Sequence, residues 1–171
     1  MRKIIFGVLA MSLLVACQQD KIGFIDNSKL VNEYEEKKVI EEKFKSKAQR
    51  FDKKMDSISK MLQMEAQAFD ASASKLSQKA MQEKYNEIMQ KRQFYQQQLQ
   101  MEEQQIQQEG QKEMDSLVNK VKKFVKDYGK TNGYTYILGA NEAGSVLYGK
   151  DEKDITDAVL KALNDEYGNN K

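Results

Sequence analysis

Residues 44–62, FKSKAQRFDKKMDSISKML, place Phe44, Ala48, Phe51, Met55, Ile58 and Leu62 at spacings of 4, 3, 4, 3 and 4. That alternation is a heptad seam, a narrow apolar stripe along one side of a helix. The same spacing returns at Gly110, Met114, Leu117, Val121, Phe124 and Tyr128. Between the two runs, Met81, Tyr85, Ile88, Tyr95, Leu99 and Ile106 keep nearly the same period, with Arg92 and Glu102 inside it. Upstream, Leu30 and Tyr34 begin the register and Lys37 and Glu41 interrupt it. The chain contains no proline, so no helix has to stop on its account. The one break the pattern predicts is residues 68–74, AFDASAS, where Asp and Ser side chains compete for the helix backbone. Ser74 or Ser77 is placed to cap the helix that follows. The reading is a helical hairpin over residues 28–128 with its tip near 68–74. Arms of roughly 40 and 55 residues would be about 60 and 80 Å long at the α-helical rise. A seam this narrow suits two helices packed antiparallel, with most of each surface wet.

The ends of the chain follow a different period. Lys21–Asp26, KIGFID, alternates like a strand and leads into Asp26, Asn27 and Ser28, three adjacent helix-cap candidates. Five glycines between Gly129 and Gly149 punctuate two β-branched and aromatic runs, Tyr134–Leu138 and Ser145–Tyr148. Each run is a strand candidate. Asp154 is placed to cap a last helix, whose apolar stripe is Ile155, Ala158, Val159, Ala162 and Leu163. Residues 17–27 and 129–171 therefore read as a small body of three strands and one covering helix. The fold class is mainly α with a small β body. A three-stranded sheet has two edges to cover, and self-association is the economical answer.

Composition excludes much chemistry. Among 171 residues there is no His and one Cys, so no imidazole-based catalytic pair and no cysteine-clustered zinc site can be built. No enzyme, cofactor or metal is expected. Gly144–Asp151, GSVLYGKD, comes near a phosphate-binding loop, but Asp151 stands at the hydroxyl position and the intervening residues alternate like a strand.

At the N-terminus, Arg2 and Lys3 precede an apolar stretch, Ile4–Ala16, too short to span a bilayer and of the length of a signal-peptide core. Leu14-Val15-Ala16-Cys17 then resembles the bacterial lipoprotein signal, with residues 1–16 removed and Cys17 lipidated. An ordinary secretory signal is the alternative. Cleavage before Cys17 removes two of the 28 basic residues and none of the 26 acidic ones, which leaves the side chains formally neutral. The slight basicity belongs to the leader and gives no argument for nucleic acid. Gln18, in place of Asp, favours the outer membrane by the better-known sorting rule.

Three features of the arms admit a bland and a sharp reading. The glutamine-rich stretch from Gln90 to Gln111 is either a solvated helix face or a neutral, hydrogen-bonding wall against a captured chain. Seven methionines between Met55 and Met114 are core filler or an adaptable apolar surface. The Lys pairs 37–38, 53–54 and 122–123 each have acids nearby, and Glu33–Lys37 and Glu41–Lys45 have the spacing of helix-supporting ion pairs.

Lys21–Asp26, the long hairpin, Tyr136-Ile-Leu-Gly-Ala-Asn141 and Lys153-Asp-Ile-Thr-Asp-Ala-Val-Leu-Lys161 together resemble the OmpH/Skp family of periplasmic chaperones. The resemblance implies a homotrimer whose strands build a β-barrel-like body, with helical hairpins around a cavity. It implies ATP-independent holding of unfolded outer-membrane proteins, in the periplasm or cell envelope. The side chains assigned to the trimer body are Ile22, Phe24, Tyr136, Ile137, Leu138, Val146 and Leu147. Those assigned to client contact are Met64, Phe69, Gln97, Gln104 and Gln105. The family's proposed lipopolysaccharide site uses basic residues on the second arm; Gln97–Gln108 has none, and the site is not carried over. The competing reading is a structural coiled-coil lipoprotein that tethers the envelope or scaffolds a partner.

Overall fold

The computed structural model describes residues 20–141 and 144–169. The expected leader and Cys17 lie outside the described residues. The chain forms two compact units. One is residues 20–34 with the segment from 120 onward, and the other is residues 35–119. In order, the elements are β1 (Ile22–Asp26), α1 (Asn27–Glu33), α2 (Glu35–Ser72), α3 (Gln78–Thr131), β2 (Tyr136–Ala140) and α4 (Thr156–Asn169).

In the first unit, β1 and β2 pair in parallel, Ile22 opposite Tyr136 through Asp26 opposite Ala140. Parallel neighbours need a long crossover, and everything from α1 to the end of α3 is that crossover. Two strands form the sheet, where the spacing predicts three. Ser145–Tyr148 is a bend rather than a strand, with Leu147 91% and Tyr148 84% exposed. β propensity alone does not make a strand without a ladder partner. The loop has another function here: the Phe24 ring lies so close over Gly149 that no Cβ would fit there.

The helix α1 begins where Asp26 Oδ1 accepts the backbone N–H groups of Ser28 and Lys29, at 2.8 and 2.9 Å. Asp154 does the same for α4, accepting from Thr156 N at 2.8 Å. Thr156, buried, then accepts the Asp26 N–H on its Oγ1 at 2.9 Å and donates its hydroxyl proton to Asp154. Ile155 N donates to Phe24 O at 3.0 Å. The Asp-Ile-Thr stretch is thus the tie between the two ends of the chain. Lys29 adds an ion pair to Asp157 at 2.6 Å. Under this tie, Ile25, Leu30, Tyr34, Val159 and Leu163 form the core, each worth roughly 1.5–3 kcal/mol of burial.

Sequence spacing predicts unbroken helix from Asp26 to the tip; the structure adds a break. Tyr34 is extended (φ −65°, ψ 127°) and separates α1 from α2. Its ring is wholly buried and meets Tyr167 edge-on at 5.8 Å, so tertiary packing outweighs one helical hydrogen bond. At the other end of the crossover, α3 ends at Thr131 and the chain turns at Gly133, whose φ of +70° suits a glycine, with Tyr134 N donating back to Gly129 O at 2.9 Å.

The second unit is the hairpin of α2 with α3 as far as Asn119. The two helices are 38 and 54 residues long, as the heptads require. The tip lies later than 68–74. The helix α2 runs to Ser72, and a short 3₁₀ turn covers Ala73–Lys75. Ser72 Oγ bonds back to Ala68 O and Phe69 O, at 2.9 and 3.0 Å, which holds one more turn of helix than a breaker would. Ser77 Oγ caps the next helix by accepting from Ala80 N at 3.3 Å.

Candidate functional site

The hairpin surface is the candidate site, and its geometry follows from the helix register. The ion pairs Lys43–Glu113, Lys47–Glu109, Lys54–Glu102 and Glu65–Lys91 cross from α2 to α3. From one pair to the next, each step forward along α2 is matched by an equal step back along α3. The positions 43, 47, 54 and 65 advance by 4, 7 and 11 while 113, 109, 102 and 91 retreat by 4, 7 and 11. Such steps keep side chains on one edge of each helix. The pairs therefore form a ladder along a single edge of the antiparallel seam. Solvent and salt screen charges at this exposure, so the apolar seam stabilises the hairpin and the ladder selects its register.

The ladder was visible as charge but not as pairing, because the same lysines have acids within one helical turn. Within α2 the pairs that form are Lys37–Glu41 at 2.5 Å and Lys45–Glu42 at 3.1 Å. They replace the expected Glu33–Lys37 and Glu41–Lys45; the break at Tyr34 separates Glu33 from Lys37. The signal that finds the ladder is the mirrored spacing of Lys43, Lys47 and Lys54 against Glu113, Glu109 and Glu102.

Lys47 and Gln105 hydrogen-bond the Glu109 carboxylate and hold it below the usual carboxylate range. Gln105 donates to Glu109 at 2.9 Å. The Glu65 carboxylate beside Lys91 raises the lysine above its ordinary value, with burial opposing. On the ladder edge, a groove of about 730 Å³ runs between these pairs, floored by Phe51 and Ile106 and bordered by Met101 and Gln105.

The opposite edge is built differently. None of the ladder's four pairs lies on it. Two grooves of about 560 and 640 Å³ lie along it, both bordered by Met55, Gln96 and Leu99. Ile58, Leu62 and Tyr95 line the one nearer the tip, and Phe51 and Ile106 the other. Gln63, Gln67, Gln100 and Gln107 stand on the rims. Heptad spacing puts Arg92 in the seam; in the structure it borders the tip-side groove instead. This edge offers an apolar floor with flexible, mostly uncharged walls.

The residues assigned to client contact do not form one cluster. Met64 is 63% exposed and Phe69 half-buried near the end of α2. Gln97 and Gln104 are exposed and border neither edge groove. Gln105 is committed to the ladder. The open-edge grooves were missed because Met55, Tyr95 and Leu99 read as seam residues, buried between helices.

The residues assigned to the trimer body also divide. Ile22, Phe24, Tyr136 and Leu138 share one face of the sheet, by their paired register. Ile22, Tyr136 and Leu138 are 40%, 58% and 45% exposed. Ile137 lies on the other face, over Gly129, and packs within the chain. Val146 and Leu147 are in the bend, not on a strand.

Among the described residues no helix is long and apolar enough to cross a membrane, and no cluster of metal-ligating side chains occurs.

No curated protein matches the chain by sequence. Among solved structures, the crystal structure of a protein designated an OmpH-like outer membrane chaperone, from Caulobacter crescentus CB15, superposes with a TM-score of 0.76 at 18% identity, covering 88% of each chain. At that identity the likeness establishes the fold. A model of the family described as outer membrane protein (OmpH-like) matches residues 21–163, from the first strand to the middle of α4. The chain belongs to the OmpH-like family.

Proposed function

We propose that this protein is an ATP-independent holdase of the cell envelope that keeps unfolded outer-membrane proteins from aggregating. The observation that carries the reading is the open edge of the hairpin. Its grooves have an apolar floor, a methionine that can repack against varied side chains, and rims of glutamine with a few scattered charges, Asp52, Asp70, Arg92 and Glu103. A site for one folded partner would be shaped and charge-matched; this one suits clients of varied sequence. The family, and the chaperone designation of the Caulobacter protein, support the same function.

The working form in this reading is a homotrimer. Ile22, Tyr136 and Leu138 give each chain an exposed apolar sheet face, which association would cover. Cys17 carries the lipid, and the destination is the outer membrane. Each client contact is weak, and many linked contacts supply the avidity. Release needs no nucleotide, because a folding site that binds the client more tightly is sufficient.

The test shortens both arms by matched heptads around residues 73–77, preserving the ladder register. Solution mass should remain that of a trimer while client holding is lost. A shortened trimer that holds client as well as the full chain contradicts the reading. An intact trimer that binds no client leaves a coiled-coil tether in its place.

A further inference from the structure

The side of α3 that faces away from α2 carries no charge for about 27 Å. Gln90, Phe94, Gln97, Met101, Gln104 and Gln108 follow one another at spacings of 4, 3, 4, 3 and 4, so they share one face. All six are exposed, Phe94 by 60% and Met101 by 64%. The five charged residues between Ile88 and Gln111 are accounted for elsewhere. Lys91, Glu102 and Glu109 are paired to α2, and Arg92 and Glu103 border the open-edge grooves. In a chain that is 32% charged, this face has none. Among the described residues, Gln90, Gln97, Gln104 and Gln108 have no side-chain hydrogen bond, whereas Gln105 and Gln111 are engaged by acids one turn on.

We propose that this face recognises the polypeptide backbone of an extended, unfolded chain. The inference rests on the holdase reading and names what the arm reads in its client. Each glutamine amide offers two donors and an acceptor, the complement of an unpaired peptide group, and its flexible stem can follow a chain without fixed register. Phe94 and Met101 add two apolar contacts. A folded partner is the poorer occupant: a stable interface buries about 800 Å² per side around an apolar centre, and two separated apolar side chains do not supply one. Without charge on this face, the contact does not distinguish acidic from basic clients, and salt does not weaken it.

The experiment measures Kd of the mature protein for one acidic and one basic unfolded β-barrel protein, diluted from urea. Wild type should bind both, with Kd changing less than about twofold between about 50 mM and about 0.5 M NaCl. Gln90, Gln97, Gln104 and Gln108, all replaced by Glu, should weaken the acidic client at least about fivefold at low salt and recover at high salt. The same four replaced by Lys should strengthen the acidic client and weaken the basic one, an outcome that misfolding cannot produce. Wild-type binding with both variants unchanged in Kd and salt response overturns this inference and leaves the holdase reading standing. Wild type that binds neither client overturns both.

Discussion

Gly110 faces Phe44 across the hairpin, and substitution there tests the antiparallel register residue by residue. A Cβ at position 110 would lie 3.6 Å from the Phe44 ring, in ordinary van der Waals contact. Gly110→Ala therefore brings two gains and no clash. Replacing an interior helical glycine is worth about 1 kcal/mol. The added methyl against the ring contributes part of the roughly 0.8 kcal/mol of a buried carbon. The sum is about 1–1.5 kcal/mol, or on the order of 5 °C for a cooperative unit of this size. Val at the same position should undo the gain. Its two γ carbons extend beyond a Cβ that already stands at contact distance from the ring, and overpacking costs typically 1–3 kcal/mol. Phe44→Ala should relieve that penalty, since the two sites are coupled only through contact. Urea unfolding followed by far-UV circular dichroism reads each variant. An alanine that destabilises the hairpin, or a valine as stable as alanine in the presence of Phe44, would refute the register.

Thr156→Val keeps the shape of a buried side chain while leaving the Asp26 N–H without its acceptor and the Asp154 carboxylate with only the backbone N–H of residue 156; a loss of about 1–3 kcal/mol is expected in thermal unfolding. Glu109 is depressed by Lys47 and Gln105, so its contribution is present above the unfolded carboxylate pKa and is lost as pH falls through its lower folded value. Lys91 is raised by Glu65, so its contribution is complete below the unfolded lysine pKa and is lost as pH rises through its higher folded value. Hairpin stability should be flat through neutral pH and fall in acid, with a shallower fall in Glu109→Gln, as urea midpoints against pH will report. Cys17→Ser should move the protein from the membrane to the soluble periplasmic fraction; an intact mass showing unmodified Cys17 in the wild type would exclude the anchor. Leu138→Asp, on the exposed sheet face, should dissociate the proposed trimer in light scattering, whereas Gln105→Asp on the arm should not.

The arms were legible because heptad spacing is a local property. Phe44 to Leu62 and Gly110 to Tyr128 each declare a face without reference to the rest of the chain. The caps at Asp26, Ser77 and Asp154 were legible for the same reason, since a side chain reaching its own neighbours needs no tertiary partner. What failed depended on distant contacts. Tyr34 leaves the helix because Tyr167, far along the chain, completes its burial. Ser145–Tyr148 has the composition of a strand, but pairing is decided by what lies alongside. The tip moved because Ser72, read as a breaker, bonds to the backbone of its own helix. The ladder and the open edge needed the register between helices, which one heptad pattern alone leaves undetermined by whole turns. Lys43, Lys47 and Lys54, mirrored by Glu113, Glu109 and Glu102, carried that information in plain view.

Holding of an unfolded client is the central claim, and suppression of aggregation measures it most directly. A urea-unfolded outer-membrane β-barrel protein is diluted into buffer, and light scattering is followed with and without this protein. One proposed trimer per client should keep scattering near the client-free baseline without nucleotide, at low and at physiological salt. Scattering that rises to the same level with the protein as without it, at both salt concentrations, would contradict the account.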